Sequence, residues 1–289
     1  MKMKKMVLGS CVGAALIGLG FGLSNAMADE EYVSIPNPDV KAEILNVLEG
    51  NELVGEDALS NLRNFHYVSK AALQNKDEFN SLQLYSKNYE NPENSSLEGI
   101  QGLSVEDLTI TMPIIDITPL AHVNGVKDLR LESIYYDLGY THGIRDLDVL
   151  QNMTELETFY YQNMTRVGEV EGKTPLLDIS ALNNIEALQH VCVETAGTLD
   201  PIYLTAEDNN YETTLPIVLS KHFYEEENWW NATSESPFYV ESETPQQKMS
   251  DKLRWENVEE GTEYLDVWVQ IQPRGQYYIA DLRIPIIWE

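Results

Sequence analysis

The residues best placed for chemistry in this chain stand in threes. Asp128, Arg130 and Glu132 alternate with Leu129 and Leu131; Thr158, Tyr160 and Gln162 alternate with Phe159 and Tyr161; His190, Cys192 and Glu194 alternate with Val191 and Val193. Successive side chains of a β-strand leave opposite faces. If the apolar members face a core, the polar ones form one exposed face. Asp107, Thr109 and Thr111 are the equivalents in an earlier, less regular strand. Such a face suits recognition rather than turnover. Tyr and Arg are the residue types that most often dominate interface energy, and Tyr160 is central in the middle strand. The plainer reading of Tyr160 is an incidental exposed aromatic. Cys192 reads most simply as a small repeat residue, since free cysteine often behaves as a small hydrophobe. His190 is near it, but alternate positions on one strand do not by themselves make a nucleophile and its base.

Signatures of catalysis are missing. There is no His-Glu-x-x-His, nucleophile elbow, phosphate loop or paired-cysteine metal motif, and the five histidines are scattered. Glu225 to Glu227 and Glu259-Glu260 could hold calcium weakly, but no loop has calcium-ligand spacing. A solvated charged surface is the simpler account. No catalytic residue, metal ligand or cofactor is assigned, and the chain is read as noncatalytic.

The elements that must carry the face are visible in the apolar residues. From Leu120 the series runs Val123, Val126, Leu129, Leu131; from Leu150 it runs Met153, Leu156, Phe159, Tyr161; from Leu182 it runs Ile185, Leu188, Val191, Val193. Each advances by threes and then by a two. A helix favours mixed threes and fours, and a strand favours twos. A short turn feeding one β-strand gives this pattern. It is the signature of a leucine-rich-repeat solenoid, in which each coil buries its apolar row against its neighbours.

Ile115-Asp116-Ile117-Thr118-Pro119-Leu120 and Leu177-Asp178-Ile179-Ser180-Ala181-Leu182 resemble the repeating step of internalins. These are secreted or surface leucine-rich-repeat proteins of Gram-positive bacteria. Ser96-Leu97-Glu98-Gly99-Ile100-Gln101-Gly102-Leu103 resembles the segment that opens internalin arrays. The resemblance implies a helical cap before the array, an immunoglobulin-like domain after it, and a role in adhesion or virulence through protein binding. Two features depart from that family. The coils are longer, with insertions at Ser133–Gly143 and Asn163–Pro175. The asparagine expected after each strand is replaced by Ile134, Met164 and Ala196. Insertions of this kind go to one side of a solenoid, often the binding side. Tyr135, Tyr136 and Tyr140 could therefore extend the face, or could pack the first insertion onto its own coil.

The rest of the chain fits the same plan. Asn37-Pro38 is a helix start, a capping residue followed by proline. Val40, Ile44, Leu45, Val47 and Leu48 share one face, and Gly50 supplies a stop. A second short helix is expected over Asp57–Leu62. Residues 63–95 could hold a degenerate first coil or two. Near the other end Leu265, Val267, Val269 and Ile271 alternate with polar residues, a strand with one buried face. Tyr277–Trp288 is rich in strand formers, and Leu215–Leu219, Phe238–Val240 and Leu253–Trp255 are weaker strand candidates. The fold class expected is α+β, mostly β. It comprises a helical cap (29–62), a short irregular leucine-rich-repeat solenoid (63–197), a connector (198–212) and an immunoglobulin-like β-sandwich (213–289).

Export is expected. Lys2, Lys4 and Lys5 precede an apolar, Gly-rich run from Met6 to Leu23, and Ala26-Met27-Ala28 is a small-x-small cleavage site. That pattern is a secretory signal peptide cleaved after Ala28, rather than a transmembrane helix. Leu8-Gly9-Ser10-Cys11 offers a rival, a lipoprotein anchored through Cys11, although few apolar residues precede that cysteine. No wall-sorting motif follows, so a released product is expected. The formal charge is −28, and cleavage removes three lysines and no acids. Such a charge repels nucleic acid and anionic lipid and suits a cationic partner or divalent ions. Only Cys192 remains in the mature chain, so no intrachain disulfide can form. The partner expected is a protein on a host or neighbouring cell, met by a monomer through the concave face. The alternative is a carbohydrate or cell-wall ligand held by the C-terminal β domain, with Trp229-Trp230 as an aromatic platform.

Overall fold

A computed structural model describes residues 32–49, 56–74, 79–86, 96–114, 116–133, 143–164, 170–223, 239–241, 246–249, 252–272 and 275–289. The signal peptide, Cys11, Tyr135, Tyr136, Tyr140, Glu225–Glu227 and Trp229-Trp230 lie outside these residues.

The N-terminal helices follow from local sequence. Helix α1 (Pro38–Glu49) starts where Asn37 Oδ1 accepts hydrogen bonds from the backbone N–H groups of Asp39 at 3.0 Å and Val40 at 3.3 Å. These satisfy orphan donors of the first turn. Val40, Ile44 and Leu48 are buried along one stripe, with Leu45 and Val47 partly buried beside it. Helix α2 (Glu56–Phe65) is longer than the expected Asp57–Leu62 and ends before a two-stranded pairing of β1 (Tyr32–Ser34) with β2 (Tyr67–Ser69). A short helix α3 (Lys70–Leu73) follows, and Ser69 Oγ accepts from Ala72 N at 3.4 Å.

The long sheet is built from one repeated step. Strands β3 (Ser81–Tyr85), β4 (Asp107–Thr111), β5 (Asp128–Glu132), β6 (Thr158–Gln162) and β7 (His190–Thr198) pair in parallel, each with the next. Parallel neighbours require the chain to return to the same end every time. The return runs through 3-10 turns at Thr118–His122, Asp148–Asn152 and Ser180–Asn184. The aspartate preceding each turn fixes it. Asp116, Asp146 and Asp178 accept from the backbone N–H of Thr118 at 2.8 Å, Asp148 at 3.3 Å and Ser180 at 2.8 Å. The apolar ladders are buried throughout, with Leu120, Leu131, Leu150, Phe159, Leu182 and Val191 at no more than 1% exposure. Burying one such side chain stabilises by roughly 1.5–3 kcal/mol. β3, within the stretch expected to hold a degenerate first coil, pairs in parallel with β4.

Three local expectations change. In the second and third coils the side-chain hydrogen bonds after the strand come from Asn163 and Thr195, one residue before Met164 and Ala196; Ser133 Oγ is buried without a partner among the described residues, and Ile134 lies outside them. Asn163 keeps an asparagine's role there. Its Oδ1 accepts from Ala196 N at 2.7 Å, and its Nδ2 donates to Ala196 O at 3.2 Å and Thr174 O at 2.9 Å. Thr195 Oγ1 accepts from Leu176 N at 2.8 Å. The connector at 198–212 contains β8 (Ile202–Leu204) and the start of β9 (Tyr211–Thr214). Leu215–Leu219 forms no strand; Val218 makes a single bridge to Asp178.

Beyond the array the described strands belong to two sheets. β14 (Tyr277–Trp288) pairs in parallel with β7, from Tyr277 opposite Cys192 to Arg283 opposite Thr198. Antiparallel to it lies β13 (Tyr264–Ile271), then β10 (Tyr239–Glu241), so the array's sheet runs on into the C-terminal segment. β8 pairs with the far end of β14. β9, β12 (Lys252–Trp255) and β11 (Gln246–Met249) form a separate three-stranded antiparallel sheet. Leu253 and Trp255 from that sheet are buried in the same core as Leu265, Val267, Leu131 and Val40. Residues of the segment expected to form an immunoglobulin-like sandwich thus share one buried core with the parallel strands and the N-terminal helices.

Candidate functional site

The outward face is set by register. Asp107, Asp128, Thr158 and His190 stand opposite one another on successive strands. Thr109, Arg130, Tyr160 and Cys192 form the next row, and Tyr277 of β14 completes it. Thr111, Glu132, Gln162 and Glu194 form the third row, which Ile279 extends. Leu129, Leu131, Phe159, Tyr161, Val191 and Val193 are buried beneath, while Asp128, Arg130 and His190 are exposed and Glu132, Thr158, Tyr160, Gln162, Cys192 and Glu194 are half-buried.

The middle of the face is tied together by hydrogen bonds. The Tyr160 hydroxyl donates to Gln162 Oε1 at 2.8 Å. Gln162 Nε2 donates to Glu194 Oε2 at 2.7 Å and to the backbone oxygen of Met164 at 2.9 Å. The Tyr277 hydroxyl donates to the other Glu194 oxygen at 3.0 Å. Arg130 lies 4.4 Å above the Tyr160 ring centre and 3.3 Å from Glu132, whose second oxygen accepts from Thr111 Oγ1 at 3.1 Å. An aromatic ring attracts a cation on its face, so Arg130 and Tyr160 hold each other. His190 Nδ1 is 3.4 Å from the Gly275 carbonyl oxygen.

Burial and neighbouring charge shift the proton affinities of this face. Burial, and then the negative charge of Glu194, push the Tyr160 hydroxyl up to about 12. The same causes, in the same order, raise Tyr277 and the Cys192 thiol. A raised thiol stays protonated and nucleophilically weak at neutral pH. Asp107 is raised as well, first by burial and then by Asp128 directly across the ladder. Among the described residues no group of three or more His, Cys, Asp or Glu is arranged to hold a metal ion.

The second insertion walls one side. Met164 and Val170 are buried against Ala196 of β7, together with Ile279 of β14 and Trp268 of β13. Gly197 makes the approach possible, because a Cβ there would collide with Pro175 and the Lys173 carbonyl oxygen. The insertions re-enter the core beneath tyrosines: Ile144 N donates to the Tyr161 hydroxyl at 3.3 Å, and the Tyr278 hydroxyl donates to Leu176 O at 2.8 Å. Sequence reasoning missed Tyr277, Ile279 and Trp268 as members of the face. The alternation around Trp268 was readable and Tyr277–Trp288 was rich in strand formers, but nothing local says that β14 pairs with β7. Elsewhere a cleft of about 610 Å³ includes Arg145, Asp178, Asp200 and Tyr211, none of them from this face.

No family model and no curated protein matches the chain. Among solved structures it is similar to the functional domain of InlJ from Listeria monocytogenes, described as including a cysteine ladder. The identity is 14% and the TM-score 0.36, over 67% of this chain and 46% of that one. It is also similar to the secreted internalin-like protein Lmo2445 of the same organism, at 12% identity and TM-score 0.33, over 89% of this chain and 100% of that one. A structure of CBM51-2 in complex with GlcNAc and INT domains, from Clostridium perfringens ZmpB, shares 9% identity at TM-score 0.27, over 88% of this chain and 36% of that one. The chain thus spans less than half the length of two of these three. Likenesses this slight assign no family.

Proposed function

We propose that this chain is a secreted, noncatalytic binding protein of internalin-like organisation. In that organisation a cap and an immunoglobulin-like end close a leucine-rich-repeat array. It captures a protein partner, on a host or neighbouring cell, through the outward face of the parallel sheet. One observation carries the reading: Tyr160, Gln162, Glu194 and Tyr277 are held by mutual hydrogen bonds on a rigid sheet. A surface already ordered loses little further side-chain entropy on binding. The raised Cys192 thiol supports the noncatalytic assignment.

The test is a double substitution, Arg130→Ala with Tyr160→Ala, in the mature chain. Neither residue is part of the core, so the thermal midpoint should move by only a few degrees, as for a change of about 1 kcal/mol. Capture of surface proteins from intact cells should fall at least about tenfold, the loss of a single interface anchor. Unchanged capture by the folded variant would remove the face from consideration.

A further inference from the structure

The same face indicates the chemistry of what it binds. Its first row sets Asp107 directly opposite Asp128. Like charges across a ladder are destabilising, and Lys127 offsets the charge of Asp107 only in part. Lys127 is itself 3.1 Å from Glu106, and Arg130 is committed to Glu132 and Tyr160. The third row adds Glu132 and Glu194. Between the acidic rows, Tyr160 and Tyr277 are half-buried, with hydroxyls turned to Gln162 and Glu194.

Acidic rows flanking aromatic rings match the long basic side chains. Their stems pack on apolar surface while the charged head reaches a carboxylate, and their cations are attracted to aromatic faces. The wall of Met164 and Val170 closes the side over Ala196 and Ile279. In the row from Asp107 to His190, Asp107, Asp128 and His190 are exposed. A whole-chain charge of −28 attracts the same partner from a distance.

We propose that the outward face of β4 to β7 docks a basic segment of its protein partner, with a lysine or arginine seated over the Asp107–Asp128 pair. The inference rests on the binding-face reading above and adds the partner's chemistry to it.

A lysine–glycine repeat peptide, with a glutamate–glycine repeat as its counterpart, tests it by fluorescence anisotropy on the mature chain. The basic peptide should bind and the acidic one should not. Asp107→Asn with Asp128→Asn should weaken binding at least about tenfold. Glu259→Gln with Glu260→Gln, which removes as much charge from an exposed turn before β13, should change it less than about twofold. Equal loss in both variants would reduce the effect to net charge alone and overturn the proposal, as would absence of binding to the basic peptide. The two readings fail separately. If Arg130→Ala/Tyr160→Ala abolishes partner capture but Asp107→Asn/Asp128→Asn leaves it intact, the face stands and the basic partner falls.

Discussion

Asp107 is a residue the fold would be better without. Its carboxyl is held above its ordinary value of 3.8, by burial and by Asp128. A carboxyl whose folded value lies above its unfolded one costs stability once ionised, and that cost vanishes as pH falls through the folded value. Asp107→Asn keeps the shape and removes one charge of the pair. It should therefore stabilise the chain at pH 7 by roughly 0.2–1 kcal/mol, the size of a cross-strand like-charge term. The gain should fade in acid, where Asp107 is protonated anyway. Urea denaturation at neutral and at acid pH reads both parts. A variant less stable than the parent at pH 7 would mean that Asp107 contributes a favourable contact outweighing the repulsion. Arg130 is the opposite case, with both partners close by. The pair of aspartates is thus a local cost beside a network in which Tyr160, Gln162, Glu194 and Tyr277 satisfy one another, and such costs concentrate at functional sites.

At the scale of elements, the repeating unit is a capped turn followed by a strand. Its legibility in the sequence was uneven, for physical reasons. The threes-then-two ladder and the outward positions on β5, β6 and β7 are local facts. They follow from spacing along one strand, and the burial of Leu129, Phe159 and Val191 agrees with them. The hydrogen-bonding position after the strand was misplaced by one residue, because offset alone cannot distinguish Asn163 from Met164. Only the contacts of Asn163 to Ala196 do so. The aspartates of the repeat could be seen, but their bonds to the backbone of the next turn could not. Asp116→Ala tests that role. Loss of the acceptor for Thr118 N should cost about 0.5–2 kcal/mol, as loss of a helix cap does, while Asp116→Asn should recover most of it. Thermal unfolding of the two variants decides. Equal midpoints for Ala and Asn would show that the bond contributes nothing.

At the scale of the molecule, the pairing of β14 with β7 decides what unfolds together. Sequence alternation gave β13 one buried face, and composition made β14 a strand, but neither says against what they pack. Nothing in Tyr277–Trp288 names its neighbour, since the pairing joins residues far apart in the chain. The consequence is one core reaching from Ile35 in the cap to Ile286 near the C-terminus, and residues 31–289 form one compact unit. Cutting after residue 212 would strip β7 of its partner from Cys192 to Thr198 and remove Tyr278, Ala280 and Leu282 from the core. Each lost side chain of that size forfeits a kcal/mol or more of burial, roughly 1.5–3 for leucine, against a total stability of only about 5–15 kcal/mol for a domain. The mature chain should accordingly unfold in one denaturant transition. The fragment 29–212 should lack a cooperative transition, and 213–289 should not fold alone. Circular dichroism and urea titration of the three chains check this. Two fragments that each unfold cooperatively, with midpoints near that of the intact chain, would show that the array and the C-terminal strands are independent units joined only at an edge.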